Sequence, residues 1–292
     1  MKTKRVLATV CVISAASLML SSCSNSAGSE SDSTPSITID QAAADLLPAN
    51  LKSKGEVTFG VDATYSPNEF KDENGNLTGW EIDLGNAIAG KLGIKAVYEL
   101  SIFDKILPSV VGGKYDAGLS SFTDNPERQK TVDFVDYYSA GIQWASKAGT
   151  SVDPDNACGL KISAQNGTTS VDDLKLKSED CTKAGKPEIT ILGFDDQALA
   201  TQAASSGRVA AVSADSPIIQ YAVKQSAGAL ELIGEPYGVA PYGIPVAKGN
   251  TALASALKAA LESLQADGTY AKILDKWGVT AGAVDSFQIN GK

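Results

Sequence analysis

Twice along the chain, short β-branched runs alternate with amphipathic stretches, and a segment without a helical face separates the two series. No other feature limits the possible folds as much. In the first series, 56–61, 95–100 and 117–120 predict strands, while 80–92 and 103–111 predict helices. Ile82, Leu84, Ala87, Ile88 and Leu92 fall on one helical face, and Gly93 ends that helix. In the second series, 161–164, 188–192, 209–212 and 230–233 predict strands, with helices at 170–176, 196–205 and 216–225 between them. Such alternation implies mostly parallel sheets with helices on their faces. Gly141–Ser146 predicts a strand crossing to a second lobe, and Tyr242–Val246 one crossing back. Helices at 251–266 and 270–277 complete the chain. The expected architecture is α/β, with two lobes and two crossing strands as a hinge. Lobe 1 comprises 41–143 plus 240–292 and lobe 2 comprises 144–239, with the ligand cleft between them.

The N-terminus reads as an address. Lys2, Lys4 and Arg5 precede an apolar run from Val6 to Leu20 that is too short for a comfortable membrane span. Small residues follow, so residues 1–22 are expected to be a signal peptide. Cys23, directly after Leu20-Ser21-Ser22, resembles the lipobox cysteine of bacterial lipoproteins. In those proteins it takes a diacylglycerol and becomes the first residue of the mature chain. A plain signal peptide or a signal anchor are the alternatives. Ser24–Ser36 is Ser-rich, and 23–40 is expected to be the lipidated Cys and a flexible tether. Acyl chains would hold the protein at the outer face of the cell membrane.

Composition excludes several chemistries. The 292 residues include no His, so no Ser–His–Asp triad or His-ligated metal can be built. Both Met lie in the signal segment, which also argues against soft-metal sites, and no metal is expected. Loss of Lys2, Lys4 and Arg5 leaves 22 cations against 34 acids, a net charge of −12. So acidic a chain is not expected to bind nucleic acid. Hydrophobic residues at 43% supply real cores and exclude wholesale disorder. Cys11 leaves with the signal and Cys23 takes the lipid. Cys158 and Cys181 remain as an even pair in an exported chain, which predicts a disulfide, with two buried thiols as the alternative.

From Leu119-Ser120-Ser121-Phe122-Thr123-Asp124-Asn125-Pro126-Glu127-Arg128 the chain resembles family 3 of the bacterial extracellular solute-binding proteins, the amino-acid receptors of ABC importers. The likeness extends through Gly60–Tyr65, Gly79–Leu84, Gly113–Asp116, Val132–Phe134, Gly167–Thr169 and Ala214–Pro217. It ends with Ala266–Tyr270 and Lys276-Trp277, so it covers roughly residues 50 to 280. It implies the two-lobed periplasmic-binding-protein fold, type II. It also implies a monomer without cofactor, partnered by a free amino acid and by the permease subunits of an ABC transporter.

The resemblance assigns roles residue by residue. Arg128 matches the family's carboxylate-binding Arg, whose planar fork donates two parallel bonds and keeps its charge. Thr168 and Thr169 match helix-start residues that also receive that carboxylate, although a simple N-cap would look the same. Asp215 matches the acid that takes the α-ammonium, while Ser120, Ser121 and Thr123 match hydroxyl and backbone contacts. Tyr65 and Phe103 match the residues that sandwich the ligand side chain. Asp62 matches a residue that can reach a polar or cationic side chain. Asn68 departs from the aromatic residue often found there, and either meets the ligand or faces solvent. Trp144 is placed near the hinge, outside the site. Only one Arg is assigned to the cleft, so a polar neutral or cationic amino acid is expected over an acidic one. The family also contains exported cyclohexadienyl dehydratases. An enzyme of that kind would need Asp62, Glu69 or Asp215 as its general acid. The anchor and tether favour a receptor with no catalytic residues.

Overall fold

A computed structural model describes residues 37–291. Helices α1 (Gln41–Asp45) and α2 (Ala49–Lys54) lead into strand β1 (Glu56–Val61). A small antiparallel sheet follows, made of β2 (Thr64–Tyr65), β3 (Glu69–Lys71) and β4 (Leu77–Thr78). Then come α3 (Trp80–Lys91), β5 (Lys95–Leu100), α4 (Phe103–Val111), β6 (Ala117–Gly118) and the long β7 (Val132–Lys147). The second series runs β8 (Lys161–Gln165), α5 (Thr169–Lys183), β9 (Thr190–Phe194), α6 (Gln197–Ser205), β10 (Ala211–Asp215), α7 (Ser216–Gln225) and β11 (Leu230–Ala247). Helices α8 (Thr251–Ala266) and α9 (Thr269–Trp277) return to the first half.

The main sheet has the order β5-β1-β6-β11-β7-β10-β8-β9. β5, β1 and β6 are parallel, as are β10, β8 and β9. Between these halves β7 and β11 pair antiparallel along almost their whole length. Their register slips between Ile233 and Tyr237 and again before Ala240, where the pair passes from one half to the other. Leu230–Ile233 and Tyr242–Val246, expected as separate strands, are thus the two ends of one strand. The crossing expected at 141–146 is likewise the second half of β7, which is buried on both faces and so shows no alternation.

Each half carries its own apolar clusters. In the first, Trp80, Leu84 and Ile88 of α3 pack with Leu257, Leu261 and Leu264 of α8. On α4, Phe103, Ile106 and Val110 join Tyr115, Phe122 and Phe134. In the second half, Val212 and Ala214 join α6 and α7, while Ala211 joins Trp144, Ile162 and Leu174. That split is the period-two alternation of β10 serving both faces.

Several boundaries need correction: the helix expected at 170–176 is α5, Thr169–Lys183, and the strand expected at 188–192 is β9, Thr190–Phe194. The tether cannot extend to residue 40, because Ile37 packs against the core and the Asp40 side chain caps α1, accepting from Ala43 N at 3.1 Å. The strand expected at 209–212 is 211–215, which makes Asp215 its last residue. Cys158 and Cys181 form a disulfide, with Cα atoms 5.5 Å apart, and it ties the β7–β8 connection to the end of α5. Cys23 and the signal segment lie outside the described residues. Among the described residues, no helix is long and apolar enough to cross a membrane.

Candidate functional site

The carboxyl ends of the two parallel sets face each other, the position where open α/β sheets hold ligands. β1 delivers Asp62 and the Tyr65 turn, and β6 delivers the loop from Leu119 to Arg128. From the other half, β8 delivers Gly167, Thr168 and the start of α5, and β10 delivers Asp215. Tyr65, Phe103, Ser121, Thr123, Arg128, Thr168, Thr169 and Asp215 surround one small cavity, about 10 Å³ as the halves stand. Eight of the expected ligand residues are therefore together. Asp62 and Ser120 lie behind the wall.

Arg128 opens a short 3₁₀ turn, and Asn125 Oδ1 accepts from its backbone N–H at 2.9 Å. Its guanidinium turns inward over the Phe103 and Phe122 rings, 5.6 and 5.4 Å from their centroids. One nitrogen donates to Thr123 O at 2.9 Å and another to Gly167 O of the opposite half at 3.0 Å. Burial pushes its pKa down, while Asp215 and Asp172 pull it back up. A guanidinium keeps its charge under such opposition.

Asp215 faces it from the end of β10. Asp215 Oδ2 accepts from Tyr65 Oη at 2.9 Å and from Tyr242 Oη at 2.7 Å. Burial raises this carboxyl above the usual range, and the two tyrosines and Arg128 draw it back. Thr168 is the N-cap of α5 but makes no side-chain cap; its hydroxyl donates to Gln165 O at 2.7 Å instead. The Thr168 hydroxyl therefore caps none of the first N–H groups of α5, although Val171 N reaches the Thr168 carbonyl at 3.2 Å. Thr169 Oγ1 lies 3.4 Å from Thr123 Oγ1 across the cavity. Gly167 has φ +77°, and a Cβ there would meet Asp104 Cβ at 2.9 Å, so glycine permits both the turn and the approach of the halves.

The loop bearing Ser120 and Ser121 rests on two buried acids. Ser120 Oγ donates to Glu69 Oε1 at 2.7 Å and accepts from Asp62 N at 3.0 Å. Ser121 donates its backbone N–H and its hydroxyl to Glu81, at 3.1 and 2.7 Å. Tyr137 Oη also donates to Glu81, at 2.6 Å. Burial raises both carboxyls: Glu69 goes well up, with the charge of Glu81 adding to the rise, while hydrogen bonds from Tyr137 and Ser121 draw Glu81 back down. Ser121 has φ 53°, a left-handed backbone that costs a non-glycine residue about 1–2 kcal/mol. The two bonds to Glu81 offset that cost. Asn68 neither meets the cavity nor faces solvent. It is fully buried, donates to Ser121 Oγ at 2.7 Å and accepts from Trp80 Nε1 at 2.6 Å.

Asp62 is buried and accepts four hydrogen bonds. Thr64 N and Thr64 Oγ1 serve Oδ1; Phe103 N and Gln165 Nε2 serve Oδ2. Burial nonetheless pushes its pKa to about 6. Gln165 went unnoticed in the sequence, where its one signal is its place at a strand end just before Gly167-Thr168. Trp144 is buried away from the cavity and donates to Tyr237 Oη.

A family model described as bacterial extracellular solute-binding proteins, family 3, matches residues 57–280. The chain is 37% identical over 296 residues to the arginine-binding protein ArgT of Corynebacterium glutamicum, covering 98% of this chain and 96% of that one. It is 29% identical to the ABC transporter glutamine-binding protein GlnH of Bacillus subtilis, covering 94% and 97%. The solved structure of an ancestral arginine-binding protein bound to arginine superposes with a TM-score of 0.72 at 38% identity, covering 76% of this chain and 98% of that one. With its paired half-sheets, crossing strands and motifs in family order, the chain belongs to family 3 of the bacterial extracellular solute-binding proteins.

Proposed function

We propose that this protein is the receptor of an ABC importer and that it captures a free amino acid with a cationic side chain, arginine first among them. The observation that carries this reading is one cavity with Arg128 and Asp215 in opposite walls and Asp62 just behind. The ligand carboxylate would take the Arg128 fork and the first N–H groups of α5, with Ser121 and Thr123 beside it. Its ammonium would take Asp215. The side chain would run between Tyr65 and Phe103 toward Asp62, whose charge suits a guanidinium. The arginine-binding names among the relatives support the cation; the glutamine-binding name shows that the same scaffold serves a neutral amide.

Residues 41–143 with 240–292, and residues 144–239, would act as lobes hinged on β7 and β11. Cys23 would carry the lipid, holding a monomeric receptor beside its permease. No observation favours a dehydratase. Each acid available to one has a place in the receptor reading instead: Glu69 holds Ser120, Asp215 faces Arg128 across the cavity, and Asp62 stands behind the wall. A thermal-shift screen of the twenty amino acids tests the reading. At a hundred times its Kd a ligand adds about 2.7 kcal/mol of stability. Arginine should give the largest shift, and a screen in which no amino acid shifts the transition removes the proposal.

A further inference from the structure

Gln165 ends β8 in the second half and is only 1% exposed. Its Nε2 donates to Asp62 Oδ2 at 2.9 Å and to Asp195 O at 3.1 Å. The Asp195 carbonyl belongs to Gln165's own half and holds the amide in place. Asp62 belongs to the other half, so this bond exists only while the halves are together. The other three donors to Asp62, Thr64 N, Thr64 Oγ1 and Phe103 N, come from its own half and would persist on opening.

We propose that Gln165 is a specificity-determining positioning residue: by donating to Asp62 Oδ2 across the cleft, it orients that carboxylate and favours its ionised form when the halves close, so that a cationic side chain is preferred over a neutral one of the same shape. The inference rests on the reading of the ligand as a cationic amino acid. One nearby carboxyl opposes the charge of Asp62. Asp196, at the start of α6, pushes it toward protonation, and Glu69 sits across Ser120. The amide N–H of Phe103, at the start of α4, acts the other way. With burial already drawing the carboxyl upward, Gln165 is the donor that closure adds to the ionised form.

Arginine and citrulline have side chains of nearly the same length and shape, one charged and one neutral. Calorimetry with both, on the wild type and on Gln165→Leu, from pH 5 to pH 8, separates the possibilities. Gln165→Leu should weaken arginine by about tenfold at pH 7.5, the usual effect of losing a hydrogen bond to a charged group, and leave citrulline within about twofold. Its arginine affinity should also begin to fall at a higher pH than in the wild type, with citrulline flat in both. Equal losses for both ligands, or no change in the arginine-to-citrulline ratio, overturn the role of Gln165 while leaving arginine recognition in place. A wild type that does not prefer arginine overturns the underlying reading and this proposal with it. Should Gln165→Leu fail to fold, Gln165→Met removes the donor with a more adaptable side chain and is judged by the same ratio.

Discussion

Breaking the Cys158–Cys181 bond should cost stability without touching the ligand. The bond spans 23 positions of sequence and closes a loop holding all of β8 and most of α5. For a loop of that size, constraint of the unfolded chain contributes about 3 kcal/mol. In a fold of some 250 residues each kcal/mol shifts Tm by about 2–4 °C, so the loss should be about 6–12 °C. Cys181 is 5% exposed and packs with Leu174, Ala157 and Ile189, so alanine in its place adds a small packing loss. The cavity lies at the other end of α5, about 20 Å along a helix of 15 residues. Calorimetry on Cys158→Ala/Cys181→Ala should show the lower Tm with amino-acid affinity within about twofold of wild type. A Tm within 2 °C of wild type refutes the chain-entropy argument, and a tenfold loss of affinity refutes the independence of the two ends.

Other changes probe the site and its surroundings. Arg128→Ala should fold normally and weaken every α-amino acid alike by about 2–5 kcal/mol, the usual cost of truncating a buried charged pair, and titration calorimetry reads it directly. Asp215→Ala should weaken binding and reduce ligand-induced closure, seen as a smaller drop in radius of gyration by X-ray scattering. Asp136 and Asp124 are buried acids that face each other, and burial with the charge of Asp124 lifts Asp136 to about 7. The fold therefore keeps a proton that the unfolded chain releases from about pH 4 upward, and this contribution to stability falls as pH rises to 7. Asp136→Asn, which can still accept from Gly291 N, should raise Tm at pH 8 and flatten the decline between pH 4 and 7.

Much of what could be read from the sequence followed from one-sided burial. Helix α8 sets a stripe of Leu and Ala against the core, and its span was legible; α3 is buried over most of its surface, and its apolar content with Gly93 after it marked its span. β7 is covered on both faces and β11 changes surroundings along its length, so neither shows a regular period. β2, β3 and β4 are too short to carry a pattern. At the site, Arg128, Asp215 and the hydroxyls were assigned through their places in the family's motifs, which are local runs of sequence. Asn68, Glu69 and Glu81 were not, because their partners in the Ser120–Ser121 loop lie 40 to 53 positions away and nothing local joins them. Gln165 was hidden for the same reason, since Asp62 is 103 positions distant.

A crystal structure grown with arginine addresses the central claim most directly. The expected density places the α-carboxylate on the Arg128 fork beside the start of α5, the ammonium on Asp215, and the guanidinium within hydrogen-bonding distance of Asp62. Arginine bound outside this cavity, or inside it with its carboxylate away from Arg128, would contradict the assignment of the site.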